Sequence, residues 1–270
     1  MPEAAELETL RRQIEPYLPS RVLTVSIWGD RTVRAHGEDL IKGLQGETFV
    51  GAVRRGKWLV LETASAGALA VHLRMSGRLH MTLPETPLEP HTHAAFSLST
   101  PLGVRQLRFV DARTFGELRR VRSIADVTPS VPDVSELLTL PMLPRSFTTS
   151  RRQLKAVLLE QSALVQGVGN YLADEICFRA RLQPTRVCSS LTVPEWQALL
   201  KVMPQAFEEF ANLRGVALSD ETWRDLDNVL GAGSKALQVH GKTVCTGCAK
   251  EVSKTKISGR SAYFCTVCQR

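Results

Sequence analysis

The chain has 270 residues, enough for one large domain or two ordinary ones. Hydrophobic residues make up 43% and charged residues 23%, which excludes a disordered chain, and no apolar run approaches the roughly 20 residues of a membrane-spanning helix. The formal net charge is +7, and it is concentrated at one end: Lys235 to Arg270 carries seven basic residues and one acidic residue, a field suited to an anionic partner.

The start, MPEAAELE, places Pro2 and Glu3 directly after the initiator and has no basic segment leading into an apolar one, so a cytosolic, soluble protein is expected. A first helix is predicted over about Ala4 to Tyr17, with Leu7, Leu10 and Ile14 on one face. Short apolar runs bounded by turn residues follow: RVLTVSIW, ETFVGAVRRGKWLVLET, ALAVHLRMSGRLHM, HAAFSLST and VRQLRFVDARTFGELRRV. Strands at such spacing predict a sandwich or barrel. The stretch VTPSVPDVSELLTLPMLPRSF is broken by prolines and reads as a connector.

Beyond it, TTSRRQLKAVLLEQSALVQGVGNYLADEICFRARL predicts helix, glycine turn, helix, with Gly167 and Gly169 in the turn and Asn170 as cap of the second helix. Backbone N–H groups at such a start, and glycines beside them, suit a polyanion, although a lone GxGN is equally an ordinary connection between helices. Further helices are predicted over about Val193 to Leu213 and Ser219 to Leu230.

Four of the six cysteines form CTGC and CTVC: Cys245, Cys248, Cys265 and Cys268. This C-x2-C-x16-C-x2-C spacing matches two knuckles closing on one tetrahedral zinc, whereas two residues between partners strain a disulfide. The intervening AKEVSKTKISGRSAYF predicts a hairpin turning at Ser258-Gly259, with Arg260 beside the turn. Cys177 and Cys188 stand apart and read as reduced structural thiols.

Taken together, the MPExxE start, RRGKWLVLE, HLRMSG, RFVDARTFG, QGVGNYLADE, LQVHGK and SGRSAYFC resemble the formamidopyrimidine-DNA glycosylase and endonuclease VIII family of base-excision repair enzymes, across essentially the full length. The resemblance implies an α+β multidomain fold: an N-terminal helix and β-sandwich domain over 1–130, a proline-rich linker over 131–147, a helical helix–two-turn–helix domain over 148–234 and a zinc-ribbon hairpin over 235–270. It implies a glycosylase and AP lyase acting on damaged double-stranded DNA, as a monomer, with one structural zinc.

The resemblance also assigns roles. Pro2, freed by removal of Met1, is the nucleophile; its secondary amine titrates near the α-amino range of roughly 7.7 to 8. Glu3 supplies a carboxyl group for proton transfer, and Lys57 contacts phosphate and assists the lesion chemistry. Glu6 matches a second family glutamate, and as a first-turn acid it equally favours the helix dipole. Met75, Arg113 and Phe115 fall on the positions that fill the void left by a flipped nucleotide. His72, Asn170 and Arg260 join Lys57 in a phosphate clamp. Few residues separate the predicted 219–230 helix from LQVHGK, and the short Gly231 to Lys235 link predicts a leaning to oxidised pyrimidines or ring-opened purines over 8-oxoguanine. The alternatives are an 8-oxoguanine- and formamidopyrimidine-specific glycosylase, or a non-catalytic zinc-ribbon protein that grips nucleic acid.

Overall fold

The computed structural model describes residues 2–28, 37–65, 67–136, 148–218 and 223–270. The chain divides into two compact units, one of Met1–Thr128 with Ala211–Ser234 and the other of Pro129–Phe210 with Lys235–Arg270. The 148–234 range of the helical domain therefore contains residues of both units. No helix among the described residues is long and apolar enough to cross a membrane.

The first unit opens with α1 (Ala4–Ile14), which runs on through a 3-10 turn to Tyr17. Eight strands follow: β1 (Ser20–Ile27), β2 (Thr48–Arg55), β3 (Trp58–Thr63), β4 (Ala68–His72), β5 (Gly77–Thr82), β6 (Thr92–Thr100), β7 (Gly103–Asp111) and β8 (Glu117–Val121). They are hydrogen-bonded in the order β5-β7-β6-β1-β2-β3-β4-β8, with antiparallel pairing throughout. The β1–β2 link consists of only two residue pairs, Ser20 with Phe49 and Arg21 with Thr48. So short a seam leaves two four-stranded layers, the sandwich that the family resemblance implies and one of the two architectures that the short runs predict.

Period-two alternation explains the core between these layers. Val22, Phe96, Leu98, Leu107 and Phe109 come from one half, and Leu59, Leu61, Leu69, Val71 and Leu118 from the other. Leu7, Leu10 and Ile14 of α1 bury their stripe in the same core, as do Leu40 and Leu44 of α2 (Gly37–Leu44). Trp223 and Leu226 complete it.

The helix predicted over 219–230 is not formed where it can be judged. Residues 219–222 lie outside the described residues, and Trp223–Leu230 is a turn closed by an Arg224–Leu230 bridge. The buried Asp225 is the cause: its Oδ1 accepts from Asp227 N–H at 3.1 Å and Val229 N–H at 2.9 Å, while Asn228 sits at φ 63°. Asp and Asn here supply turn chemistry that competes with helix hydrogen bonds. The notion of a short link after a helix loses its premise.

In the second unit, α3 (Leu154–Leu159) and α4 (Asn170–Arg179) flank the glycine turn, and the long helix α5 (Val193–Asn212) belongs to it up to Phe210. Along α5, Trp196, Leu199, Met203, Phe207 and Phe210 recur at helical spacing and are buried. Tyr171 meets Phe210 edge to face at 5.3 Å. Most of the proline-rich 131–147 stretch lies outside the described residues. The ribbon hairpin is β9 (Ser253–Ile257) with β10 (Arg260–Phe264).

Candidate active site and nucleic-acid interface

The first unit holds eight of the predicted site residues. Pro2 is buried, and Glu3, 1% exposed, is the N-cap of α1. The cap is reciprocal: the Glu3 carboxylate accepts from the Glu6 N–H, and the Glu3 N–H donates to Glu6 Oε2 at 2.8 Å. Such a box satisfies two helix-end donors at once. Glu6 does more, since its Oε1 accepts from Val216 N–H at 2.7 Å. Gly215, at φ +80°, is required there: a Cβ would stand 2.6 Å from Trp223 Nε1 and 2.9 Å from Glu6 Oε1. Both oxygens of Glu6 are thus engaged by backbone N–H groups, one of Glu3, which follows Pro2, and one of Val216.

The three void-filling candidates come together through a residue that sequence reading passed over. Asp111, fully buried at the end of β7, accepts from Ser76 Oγ at 2.5 Å, from Arg113 N–H at 3.1 Å and from Gly116 N–H at 2.6 Å. One carboxylate therefore ties the turn carrying half-buried Met75 to the turn carrying exposed Arg113 and Phe115. The Arg113 guanidinium lies 5.0 Å from the Phe115 ring centre. Phe115 is 45% exposed, an aromatic outside the core that the pattern alone would assign to it. The Asp–Gly spacing in DARTFG carried the signal, because Asp closes turns onto following N–H groups.

Lys57 sits at the tip of the β2–β3 hairpin, after Gly56 at φ 57°. His72 ends β4, and its Nδ1 accepts from Arg74 N–H at 3.0 Å, which leaves Nε2 as the protonated ring nitrogen. Burial, then the charges of Arg74, Lys57 and Arg119, push its pKa down to about 3. His72 is a neutral donor among cations.

The second unit holds the others. Gly169, not Asn170, is the N-cap of α4, because Gly169 has the extended backbone and Asn170 is the first helical residue. Gln161 braces the turn, its Oε1 accepting from Gly167 N–H and its Nε2 donating to Val168 O, both at 2.8 Å. The Asn170 Oδ1 is buried without a hydrogen-bond partner among the described residues. Below it lies Lys155, fully buried, whose Nζ donates to Asp174 Oδ1 at 2.6 Å, to Asn170 O at 3.1 Å and to Ser261 O at 2.7 Å. Asp174 Oδ2 in turn accepts from His240 Nδ1 at 2.7 Å. One ammonium thus joins Asn170 to the strand that begins with exposed Arg260. Nothing in the linear sequence pairs Lys155 with Asp174 or His240, although a lysine on the apolar face of a helix demands a partner.

The ribbon turn has Ser258 at φ 49° and Gly259 at φ 74°, the two positive values of a type I′ hairpin. Beyond it the four cysteine sulfurs all lie within 4.8 Å of one another, with Cys245 and Cys268 Sγ 3.9 Å apart and Cys248 and Cys265 Sγ 3.5 Å apart. Tetrahedral bonds of about 2.3 Å separate sulfurs by roughly 3.8 Å, so the set fits a metal ion. Burial raises the Cys265 thiol, but the N–H groups of Cys268 and Val267, with the Cys248 and Cys245 thiols, outweigh it and bring the pKa to about 7, whereas the Cys245 and Cys268 thiols are raised, so the sulfur geometry and not the titration carries the metal site. Cys177 and Cys188 are free and buried, and burial raises both thiols, Cys188 to about 11.

Comparison with known proteins agrees with this layout. The formamidopyrimidine-DNA glycosylase N-terminal domain matches residues 1–118, and the formamidopyrimidine-DNA glycosylase H2TH domain matches residues 131–220. The formamidopyrimidine-DNA glycosylases of Desulforamulus reducens and Gloeobacter violaceus are 32% and 34% identical, each over all of this chain and over 99% and 98% of the relative. Lactococcus lactis Fpg bound to DNA containing an abasic site superposes with a TM-score of 0.85 at 27% identity, and its complex with an oxidised-pyrimidine DNA with 0.85 at 28%, both covering each chain completely. By the two matched domains and by full-length identity above 30%, this chain belongs to the formamidopyrimidine-DNA glycosylase family.

Proposed function

We propose that the protein is a bifunctional DNA glycosylase and AP lyase of base-excision repair, with Pro2 as nucleophile. Once Met1 is removed, the Pro2 nitrogen is a secondary amine with a usable neutral fraction at neutral pH. Its lone pair attacks C1′ of the damaged nucleoside; the C1′–base bond breaks, and the base leaves with a proton. Opening of the sugar ring, with protonation of O4′ by Glu3, gives an iminium between Pro2 and C1′. That fixed charge acidifies C2′, so loss of its proton expels the 3′ phosphate by β-elimination.

Roles for the other residues follow from their chemistry. Met75, Arg113 and Phe115 fill the gap left by the everted nucleotide, and Lys57, His72, Asn170 and Arg260 hold phosphates. Zinc is the metal best suited to four thiolates. Four ligands close the coordination shell, so its role is to hold the ribbon and not to enter the reaction. Lys155 and the ribbon fold present Arg260.

The substrate class we favour is ring-opened purines, with oxidised pyrimidines as further substrates. The names of the full-length relatives and the Met75, Arg113 and Phe115 set support this more than any argument from loop length. The enzyme acts as a monomer in the cytoplasm.

The observation that carries the reading is the chain start, a proline followed by a buried glutamate whose position is fixed by the reciprocal cap with Glu6. Borohydride reduction on abasic DNA tests it. Covalent trapping is expected, and a one-residue extension ahead of Pro2 should abolish it; undiminished trapping by the extended protein rejects Pro2 as nucleophile.

A further inference from the structure

The sandwich half made of β3, β4 and β8 has a second face that the clamp residues do not exhaust. Leu59, Leu61, Leu69, Val71 and Leu118 turn into the main core, so Trp58, Val60, Ala70, His72, Glu117 and Arg119 occupy the opposite face. The register pairs His72 with Glu117, and Ala70 with both Val60 and Arg119. Trp58 meets His72 edge to face at 4.8 Å. Arg119 crosses the small Ala70 from β8 to bring its Cζ 5.7 Å from the Trp58 ring centre.

Charge on this face is out of balance. Glu117, fully buried, pairs with Arg74 at 3.1 Å and with Arg119, yet the Arg74 and Arg119 side chains remain 46% and 44% exposed. Lys57 adds a third cation beside neutral His72, whose Nε2–H is still a donor. Among the described residues, the pairs made by Glu117 set two arginines against one carboxylate, which leaves the patch positive. Arginines on a sheet edge guard against stray strand pairing, a task that Arg120 and Arg122 also serve. Stacking on Trp58 and pairing with Glu117 single out Arg119, because they hold its planar fork in one orientation and lower the entropy lost on binding.

We propose that Arg119 is a phosphodiester-binding residue, which extends the backbone contact of Lys57 and His72 by one phosphate along the bound nucleic acid. The assignment rests on the DNA-binding reading above. A guanidinium fork fits two phosphate oxygens, and His72 Nε2–H and Lys57 are donors on the same face.

The test is the salt dependence of binding to an abasic-site duplex, for Arg119→Gln, Arg119→Lys and Arg105→Gln. Among the described residues the Arg105 side chain, at the β6–β7 hairpin end, bonds only its neighbour's carbonyl, Val104 O, at 2.9 Å, and its removal changes net charge equally. Loss of one phosphate contact should make the log–log slope shallower by about 0.9 and weaken binding roughly 3- to 10-fold near 0.1 M salt for Arg119→Gln. Arg119→Lys keeps the charge and the pairing with Glu117, so it should retain the slope but lose affinity about threefold through the missing fork. Arg105→Gln should track the unmodified protein. Arg119→Gln that matches Arg105→Gln overturns the proposal, and if Arg119→Gln does not fold, Arg119→Lys binding as tightly as the unmodified protein overturns it instead. Failure of the unmodified protein to bind or be trapped on abasic DNA would defeat the functional reading itself.

Discussion

Ser76 Oγ donates to Asp111 Oδ1 at 2.5 Å, and through that bond the turn after β4 is locked to the turn after β7. The same carboxylate takes N–H groups from Arg113 and Gly116, so Met75, Arg113 and Phe115 share one support. Asp111→Asn keeps the shape but replaces one accepting oxygen with an NH2, which cannot accept from the donors facing it. A charged hydrogen bond is worth about 1.5 to 3 kcal/mol. Base excision from duplex DNA should therefore fall about tenfold or more, whereas trapping at an abasic site in single-stranded DNA, where no partner strand needs filling, should fall less. Single-turnover rates on both substrates decide this; equal losses would mean that Asp111 merely stabilises the fold.

Glu6 presents a sharper structural case than its place in the first helical turn suggests. Glu3 N–H and Val216 N–H occupy its two oxygens, and in Glu6→Gln one of them must face an NH2. Leaving a buried donor unmet costs about 1 to 3 kcal/mol. The variant should melt lower by an amount of that order, and because the unmet donor can be that of Glu3, Schiff-base formation should slow as well. Unchanged denaturant midpoint and trapping rate would refute the support role.

His72 gives a pH dependence with a definite sign. Its folded pKa is depressed to about 3, by burial first and then by Arg74, Lys57 and Arg119, while the unfolded value is near 6.5. Between these values the unfolded chain binds the extra proton, so stability rises with pH from about 3 to 6.5 and is unaffected by this group above that window. From pH 6.5 down to 5 the loss is at most about 2 kcal/mol. His72→Gln should flatten that limb of the stability curve, measured by urea unfolding at several pH values. Parallel curves for the two proteins would contradict the assignment.

Local chemistry determined which features were legible in the sequence. The Ser258-Gly259 turn and the four cysteines are short-range signals: the turn stands as read, and the four sulfurs converge on one site that fits a metal ion. The stripe of Leu7, Leu10 and Ile14 likewise announced α1, and the short apolar runs announced a sandwich or barrel, of which the structure forms the sandwich. The helix read over 219–230 is absent from Trp223 onward, where Asp225 and Asn228 close a turn. Gly169 displaced Asn170 as N-cap because capping depends on backbone angle as well as side chain. Asp111 with Ser76, and Lys155 with Asp174, escaped reading for another reason: these partners are 35 and 19 residues apart and meet only in the folded chain.

Lys155 is the most exposed to test, because its charge is wholly buried. Its ammonium joins α3 to α4 through Asp174 and Asn170 O, and to the ribbon through Ser261 O. Removing one partner of a buried ion pair leaves the other uncompensated, at a cost of about 3 to 5 kcal/mol. Lys155→Met should therefore destabilise the protein by that order, since among the described residues Asp174 then keeps only His240. Adding Asp174→Asn should restore part of the loss, because the stranded charge disappears even though the bonds to Asn170 O and Ser261 O do not return. The single variant should also bind DNA more weakly and, loaded with zinc at the four cysteines, release it to a chelator sooner, as the β10 strand that follows from Arg260 is no longer tied to α4. Chemical denaturation of the single and double variants provides the measurement. A single variant destabilised by less than about 1 kcal/mol, or a double variant no more stable than the single, would show that the pair does not carry the junction.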